Sequence, residues 1–234
     1  MPDVVRAPAK LTVSLRVTGV RDDGYHLIDA EMVTVDLADT LTFTPGHGLE
    51  TTGEVRLGSG EDNLVRRALL AVRRTARVRL EKRIPVGAGL GGGSADAAAV
   101  LRWAGCHDLS VAATLGSDVP FCLLGGRARV RGVGEVVQSL PHEKRTFTLL
   151  TPPFPVSTGA VYDAWDSLDG PHEEGPNDLE EAALLVEPRL ALWRDRLATA
   201  TGVRPTLAGS GSTWFVEGSF PHVAGSVVTR TVRP

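Results

Sequence analysis

With 234 residues, the chain is long enough to bury one large core or two modest ones without disulfides or a structural metal. Its 42% hydrophobic and 23% charged residues are ordinary soluble usage, no run of about 18 apolar residues occurs, and Met1 to Arg6 lacks the apolar core of a signal peptide. These features exclude a membrane partner and lead to the expectation of a cytoplasmic protein. A net charge of -3 with no Lys/Arg block interleaved with aromatics excludes a nucleic-acid partner, and Cys106 and Cys122 read as small buried residues rather than a metal cage or disulfide framework.

From the N-terminus, Leu11, Val13, Leu15 and Val17 alternate with Lys10, Thr12, Ser14 and Arg16, which predicts a half-buried strand within residues 4–17. The turn residues Arg21-Asp22-Asp23-Gly24 lead into a second extended stretch, Leu27 to Leu37, and Leu41 and Phe43 mark a third before Pro45-Gly46. The first part is therefore expected to be antiparallel sheet with hairpins. Asp62 or Asn63 suits the cap of a helix through Leu64, Val65, Ala68, Leu69 and Val72, with Arg66, Arg67, Arg73 and Arg74 mainly toward water.

Val78 and Leu80 alternate with Arg77, Arg79 and Glu81 in a half-exposed strand, followed by a glycine-rich stretch and an alanine-rich helix from Ser94 to about Ala104. A shorter helical segment at 111–115 precedes Gly116-Ser117-Asp118-Val119-Pro120-Phe121, then strands at 127–131 and 146–151. The pattern changes at Pro152-Pro153-Phe154-Pro155. Helices are expected at 159–165 and 188–198, before the small-residue stretch Ala208 to Thr213 and the apolar Trp214-Phe215-Val216. A domain boundary is placed at 152, dividing 1–152 from 153–234, with no repeat or low-complexity tract.

The stretch Pro85-Val86-Gly87-Ala88-Gly89-Leu90-Gly91-Gly92-Gly93-Ser94 carries the most information. Glycines between a strand and a helix let backbone N–H groups crowd around an anion, and the N-terminus of the helix adds further donors and partial positive charge. The arrangement suits a polyphosphate. It is not a P-loop, because no Lys follows the glycines, and Gly87-x-Gly89-x-x-Gly92 also satisfies the dinucleotide fingerprint of a dehydrogenase. Against that alternative stand the charged residues Arg77, Arg79 and Glu81 in the preceding strand, since Rossmann strands are buried on both faces.

Taken together, Pro8-Ala9-Lys10, Asp23-Gly24-Tyr25-His26, Asp62-Asn63-Leu64, the loop Pro85 to Ala95, Gly116 to Phe121, Asn177-Asp178-Leu179-Glu180 and Gly209-Ser210-Gly211-Ser212 resemble, in order, the GHMP kinase superfamily. Asp23-Gly24-Tyr25-His26 points within it to the branch whose acceptor carries a cytidine diphosphate. The resemblance implies an α+β chain with a ribosomal-protein-S5-like N-terminal domain, a ferredoxin-like C-terminal domain, and a cleft between them. It also implies ATP as co-substrate with Mg²⁺, a small-molecule cytidyl diphosphate acceptor phosphorylated on a hydroxyl, and a monomer or homodimer. Another GHMP small-molecule kinase and a non-catalytic binding protein on the same scaffold are the alternatives.

On the matching positions, the resemblance makes Asp118 the general base and Lys10 the cation that stabilises charge on the oxygen or the transferring phosphoryl. Asp118 equally suits a cap for a helix entering Val119-Pro120, and Lys10 suits an exposed strand face. Tyr25 and Tyr162 would stack on the base, with His26 at its polar edge and Thr12 near the substrate. Asn63 and Lys82 would flank adenine; Pro85, Val86, Gly87, Ala88, Gly89, Leu90, Gly91, Gly92, Gly93, Ser94 and Ala95 would wrap the phosphates, with Ser210, Gly211 and Ser212 supporting them. Ser94 is the candidate metal ligand, or else the cap of its helix. Two departures from the family stand out: Thr12 replaces its usual Asn, and the chain is short between Leu101 and Gly116 and after Phe215.

Overall fold

The computed structural model describes residues 2–53, 63–170 and 175–233; Asp62, the alternative cap, lies outside them, whereas Asn63 caps the helix by accepting from the Val65 N–H at 2.9 Å. The fold is α+β, built on two sheets. In the first, β1 (Asp3–Val20) and β2 (His26–Thr44) form a long antiparallel hairpin closed by the turn at Arg21 to Tyr25. The two stretches expected at 27–37 and 41–43 are thus one strand, held extended because β1 pairs with it from Val20 to Asp3. The other edge of β2 is divided between β5 (Arg127–Gly132), which pairs with its first half, and β4 (Arg77–Glu81), which pairs with its last residues. Two short strands that hydrophobic pattern did not reveal complete the sheet: β3 (Gly48–Thr52), parallel to β4, and β6 (Val136–Leu140), antiparallel to β5.

Among the described residues, four helices accompany this sheet: α1 (Leu64–Ala71), α2 (Gly92–Trp103), α3 (Leu109–Leu115) and α4 (Val119–Leu124). Helix α2 is wrapped by neighbours on every side, with β1 on one flank and α1 and α4 on others, and Ala95, Ala97, Ala98, Ala99, Val100 and Leu101 are fully buried. Small side chains permit that closeness; larger ones would overpack the site. The helix begins two residues earlier than expected, with Gly91 as its left-handed N-cap at φ 67°, so Ser94 sits in the first turn and is not the cap.

The second sheet has the order β10-β7-β9-β8, from β7 (Thr146–Leu150), β8 (Thr206–Leu207), β9 (Trp214–Glu217) and β10 (Ser226–Arg230), all antiparallel. Helices α5 (Thr158–Ser167), α6 (Glu180–Val186) and α7 (Leu190–Thr201) lie between β7 and β8 in the chain. This is the ferredoxin-like strand order, with one change: residues 218–225 cross from β9 to β10 through turns where that topology has its second helix. The shortening expected after Phe215 is that missing helix. Because β7 belongs to this sheet, the sheets part between Leu140 and Thr146, ahead of the proline-rich stretch at which the sequence pattern changes.

The glycine-rich loop is clamped between the two sheets. The Thr213 N–H donates to the Ala88 carbonyl at 3.2 Å, and the Lys10 N–H to the Leu90 carbonyl at 3.1 Å. A Cβ on Gly89, whose φ is 75°, would lie 2.3 Å from the Ala208 oxygen and 2.7 Å from the Gly211 oxygen; one on Gly87 would lie 2.6 Å from Pro155 Cβ. Gly93, by contrast, is helical, and its Cβ would stand 3.4 Å from Leu64 Cδ1. Gly89→Ala is expected to destabilise the fold by about 1–3 kcal/mol, while Gly93→Ala stays within about 1 kcal/mol of the parent or improves on it; urea unfolding of the pair checks both.

Candidate active site

A cleft of about 1160 Å³ runs between the halves, from the start of α1, past the glycine loop, to the β1–β2 turn and α5. At its centre the Lys10 ammonium lies 3.3 Å from Asp118 Oδ2 and donates to Thr12 Oγ1 at 3.1 Å. Lys10 and Thr12 are buried, so the strand face expected to be exposed is covered here by the loop and the second half of the chain. The β1 register slips between Pro8 and Lys10 and again between Thr12 and Ser14. Bulges of this kind re-aim side chains beside functional sites, and here they bracket Lys10 and Thr12.

Asp118 precedes α4, yet its side chain makes no capping hydrogen bond; it turns instead to Lys10 and the cleft. The capping alternative is thereby set aside. An ammonium and a carboxylate in contact, with a hydroxyl as third partner, offer a proton acceptor and a fixed positive charge within one small volume. Lys10 also abuts the anion loop, since a Cβ on Gly91 would lie 2.7 Å from Lys10 Cγ. Thr12 Oγ1 accepts from Lys10 and retains a proton for a second acceptor, which an Asn carbonyl oxygen in that position would not supply.

The loop residues Pro85, Val86, Gly87, Ala88, Gly89, Gly91, Gly92, Gly93 and Ser94 line the cleft. Leu90 and Ala95 do not: both are buried in the core and anchor the loop from beneath. From the second half, Ser210 lines the cleft and shares a hydrogen bond with Thr158 at 3.0 Å, together with Gly209, which the sequence did not single out as a site residue. Gly211 and Ser212 lie behind them; Ser212 is fully buried.

At the α1 end, Lys82 lines the cleft, whereas Asn63 lies just behind Leu64, which does. The Lys82 ammonium is paired with Asp39 and, at 2.8 Å, with Asp96, both carboxylates being buried. Asp39 also accepts the N–H groups of Arg83 and Ile84, at 2.8 Å for Ile84, and so pins the backbone that leads into the loop. Burial pushes the Asp96 carboxyl up to about 7, Lys82 opposing the shift and Asp39 adding to it. Neither carboxylate was identified from sequence. A signal existed for Asp96, a single acid among alanines in a helix too apolar to have a wet face; for Asp39 there was none.

At the far end, His26 Nε2 bonds Asp166 Oδ1 at 2.8 Å. Since a carboxylate only accepts, Nε2 is the donor in this bond. The His26 ring stacks on Tyr162, with centroids 4.5 Å apart and planes 28° apart, and meets the edge of Trp165. One face of the Tyr162 ring is thus covered by His26. Tyr25 stands at the rim, 62% exposed, beneath the Arg21 guanidinium. Arg21 also pairs with Asp23 and holds its carboxyl down at about 2. Burial, then the charge of Asp118, raises the Tyr162 phenol, which stays protonated as a donor. Cys122, beneath Asp118, is pushed up to about 12 by burial and is an inert core thiol, while Cys106 is half-buried.

The chain matches known proteins along its length. The GHMP kinases N terminal domain family matches residues 63–126. A 4-diphosphocytidyl-2-C-methyl-D-erythritol kinase from Paracoccus denitrificans is 39% identical over 246 aligned residues, covering 96% of this chain and 89% of the relative. The kinase of the same name from Moorella thermoacetica is 34% identical over 271, covering 97% and 95%. A crystal structure of 4-(cytidine 5'-diphospho)-2C-methyl-D-erythritol kinase superimposes over 100% of both chains with a TM-score of 0.78 at 33% identity. The mevalonate kinase of Methanococcus jannaschii, with a TM-score of 0.62 at 10% identity over 100% of this chain and 99% of that one, shares the fold alone.

The buried Asp39–Lys82–Asp96 cluster has a pH signature. An acid whose folded pKa lies above its unfolded value binds more protons in the folded state, so its contribution to stability is present at low pH and is lost as pH rises through the folded pKa. For Asp96 that loss extends to about 7. Asp96→Asn removes the titration, so the variant's thermal midpoint is expected to rise relative to the parent between pH of about 5 and about 8. A difference that is flat, or that falls with pH, contradicts the assignment.

Proposed function

The chain belongs to the 4-diphosphocytidyl-2-C-methyl-D-erythritol kinases, a branch of the GHMP kinases, and on that footing we propose that Lys10 and Asp118 carry its phosphoryl transfer. The enzyme is an ATP-dependent small-molecule kinase that phosphorylates the 2-hydroxyl of 4-diphosphocytidyl-2-C-methyl-D-erythritol, giving the 2-phosphate and ADP, in non-mevalonate isoprenoid precursor synthesis. The observation that carries the residue assignment is the 3.3 Å contact of Lys10 with Asp118 at the mouth of the glycine loop.

In this reading Asp118 takes the proton of the acceptor hydroxyl as its oxygen attacks the γ-phosphorus, and the bond to the β–γ bridging oxygen breaks to release ADP. Lys10 stabilises the charge that builds on the attacking and transferring oxygens, and Thr12 holds the ammonium on line. Backbone N–H groups between Gly87 and Ser94 and the N-terminus of α2 cradle the phosphates, with Asn63 and Lys82 toward the adenine and Ser210 closing from the other side. Tyr25, His26 and Tyr162 receive the cytidyl group, the aromatic rings against the base and His26 at its polar edge. Mg²⁺ would neutralise phosphate oxygens; Ser94, in the first turn of α2 and lining the cleft, would offer it one hydroxyl, a donor set that suits an ion carried mainly by phosphates and water.

Among the described residues no helix is long and apolar enough to cross a membrane, and we place the enzyme in the cytoplasm as a monomer or homodimer. ATP consumption with the diphosphocytidyl substrate, measured beside mevalonate and homoserine, tests the activity; only the first is expected to be phosphorylated. Asp118→Asn is expected to lower kcat by about 10²–10⁴-fold with nucleotide affinity nearly unchanged. Near-normal turnover removes Asp118 from its role. Thr12→Val, which keeps the shape and drops the acceptor for Lys10, is expected to lower kcat about tenfold, checked by steady-state kinetics at saturating substrates.

A further inference from the structure

The stretch Asn177-Asp178 lies outside the cleft lining, yet it joins the strand that bears Lys10 to the loop that faces it. Its backbone clasps β1 in a parallel bridge: the Leu15 N–H donates to the Pro176 carbonyl at 2.8 Å and the Asp178 N–H to the Leu15 carbonyl at 3.0 Å. Leu15 follows the bulge that ends the Lys10–Thr12 segment. The two side chains then diverge. Asp178 turns back to β1, accepting from the Val17 N–H at 3.0 Å and pairing with Arg16.

Asn177 points into the opposite loop. Its amide nitrogen donates to the Leu207 carbonyl at 2.9 Å and the Gly209 carbonyl at 2.7 Å, while its amide oxygen accepts the Leu179 N–H at 3.0 Å. At 2% exposure, Asn177 has no water to compensate a lost bond. Gly209, one of its two acceptors, lines the cleft and stands opposite the catalytic pair: a Cβ there would lie 3.6 Å from Lys10 Nζ and 3.7 Å from Thr12 Oγ1.

We infer that Asn177 is a positioning residue for phosphoryl transfer, fixing the Gly209–Ser210 wall of the cleft against Lys10 and Thr12. The inference rests on the assignment of Lys10 and Asp118 as the reacting pair. Both N–H donors of one amide are spent on carbonyls either side of Ala208, so the loop's distance from β1 is set by a single planar group. Asp178, one residue on, ties the same segment to β1 through Val17 and Arg16 and serves as the control for a purely structural role.

The test compares Asn177→Ala, Asn177→Ser and Asp178→Asn by thermal melting, kcat, ATP Kd, and hydrogen exchange at the Gly209 to Gly211 amides. Asn177→Ala is expected to lower kcat about 10–100-fold with ATP Kd within about threefold, and to speed exchange at those amides. Asn177→Ser, which keeps one donor, should recover part of kcat, and is the deciding variant if Asn177→Ala does not fold. Asp178→Asn should lower the melting midpoint while kcat stays within about twofold. The inference is overturned if the soluble Asn177 variant keeps kcat within about twofold, or if Asp178→Asn reduces kcat as much. Should Asp118→Asn turn over normally, the assignment of the reacting pair fails, while the exchange measurement still decides whether Asn177 holds the loop.

Discussion

A lysine ammonium held out of water against a carboxylate is the constraint around which this molecule is arranged. Lys10 and Asp118 come from segments more than a hundred residues apart, and burying the lysine costs several kcal/mol unless geometry and further hydrogen bonds offset it. Thr12 supplies one such bond, and the rigid hairpin of β1 with β2 holds both residues of that strand in place. The glycine loop covers the lysine stem, and the second sheet in turn covers the loop. Both members of the pair come from the first sheet and its helices, and the second sheet closes over them through the loop.

How far this could be read from the chain depended on whether the determinant was local. Alternation placed β1, β4, β5 and β7, and a cap followed by apolar spacing placed α1, because those signals lie within a few residues. The glycines announced an anion loop for the same reason. Strand β2 reads as two pieces because Ala38, Asp39 and Thr40 interrupt its run of large apolar residues; the role of Asp39 comes from a partner far along the chain, Lys82. The burial of Lys10 and Thr12, which alternation assigned to an exposed face, is set by a loop about eighty residues later. Resemblance, rather than periodicity, brought Lys10, Asp118, Tyr25, His26 and Tyr162 into one proposal. It did not reveal that His26 lies flat on Tyr162, since ring packing depends on Asp166 and Trp165 of α5.

The electrostatics of the cleft also separate two tasks that phosphate-binding sites often give to one lysine. Both lysines that line it are already engaged: Lys10 with Asp118 and Thr12, Lys82 with Asp39 and Asp96. Neither is a free counter-charge for a polyphosphate. The glycine loop's backbone N–H groups and the N-terminus of α2 are available for that purpose beside the Arg21 and Arg67 guanidinium groups that also line the cleft, and the backbone groups act without titrating. This accounts physically for a phosphate loop that lacks a following lysine. In the proposed transfer, Lys10 would stand where charge changes rather than serve ground-state binding, and there a fixed cation contributes to rate and not only to affinity.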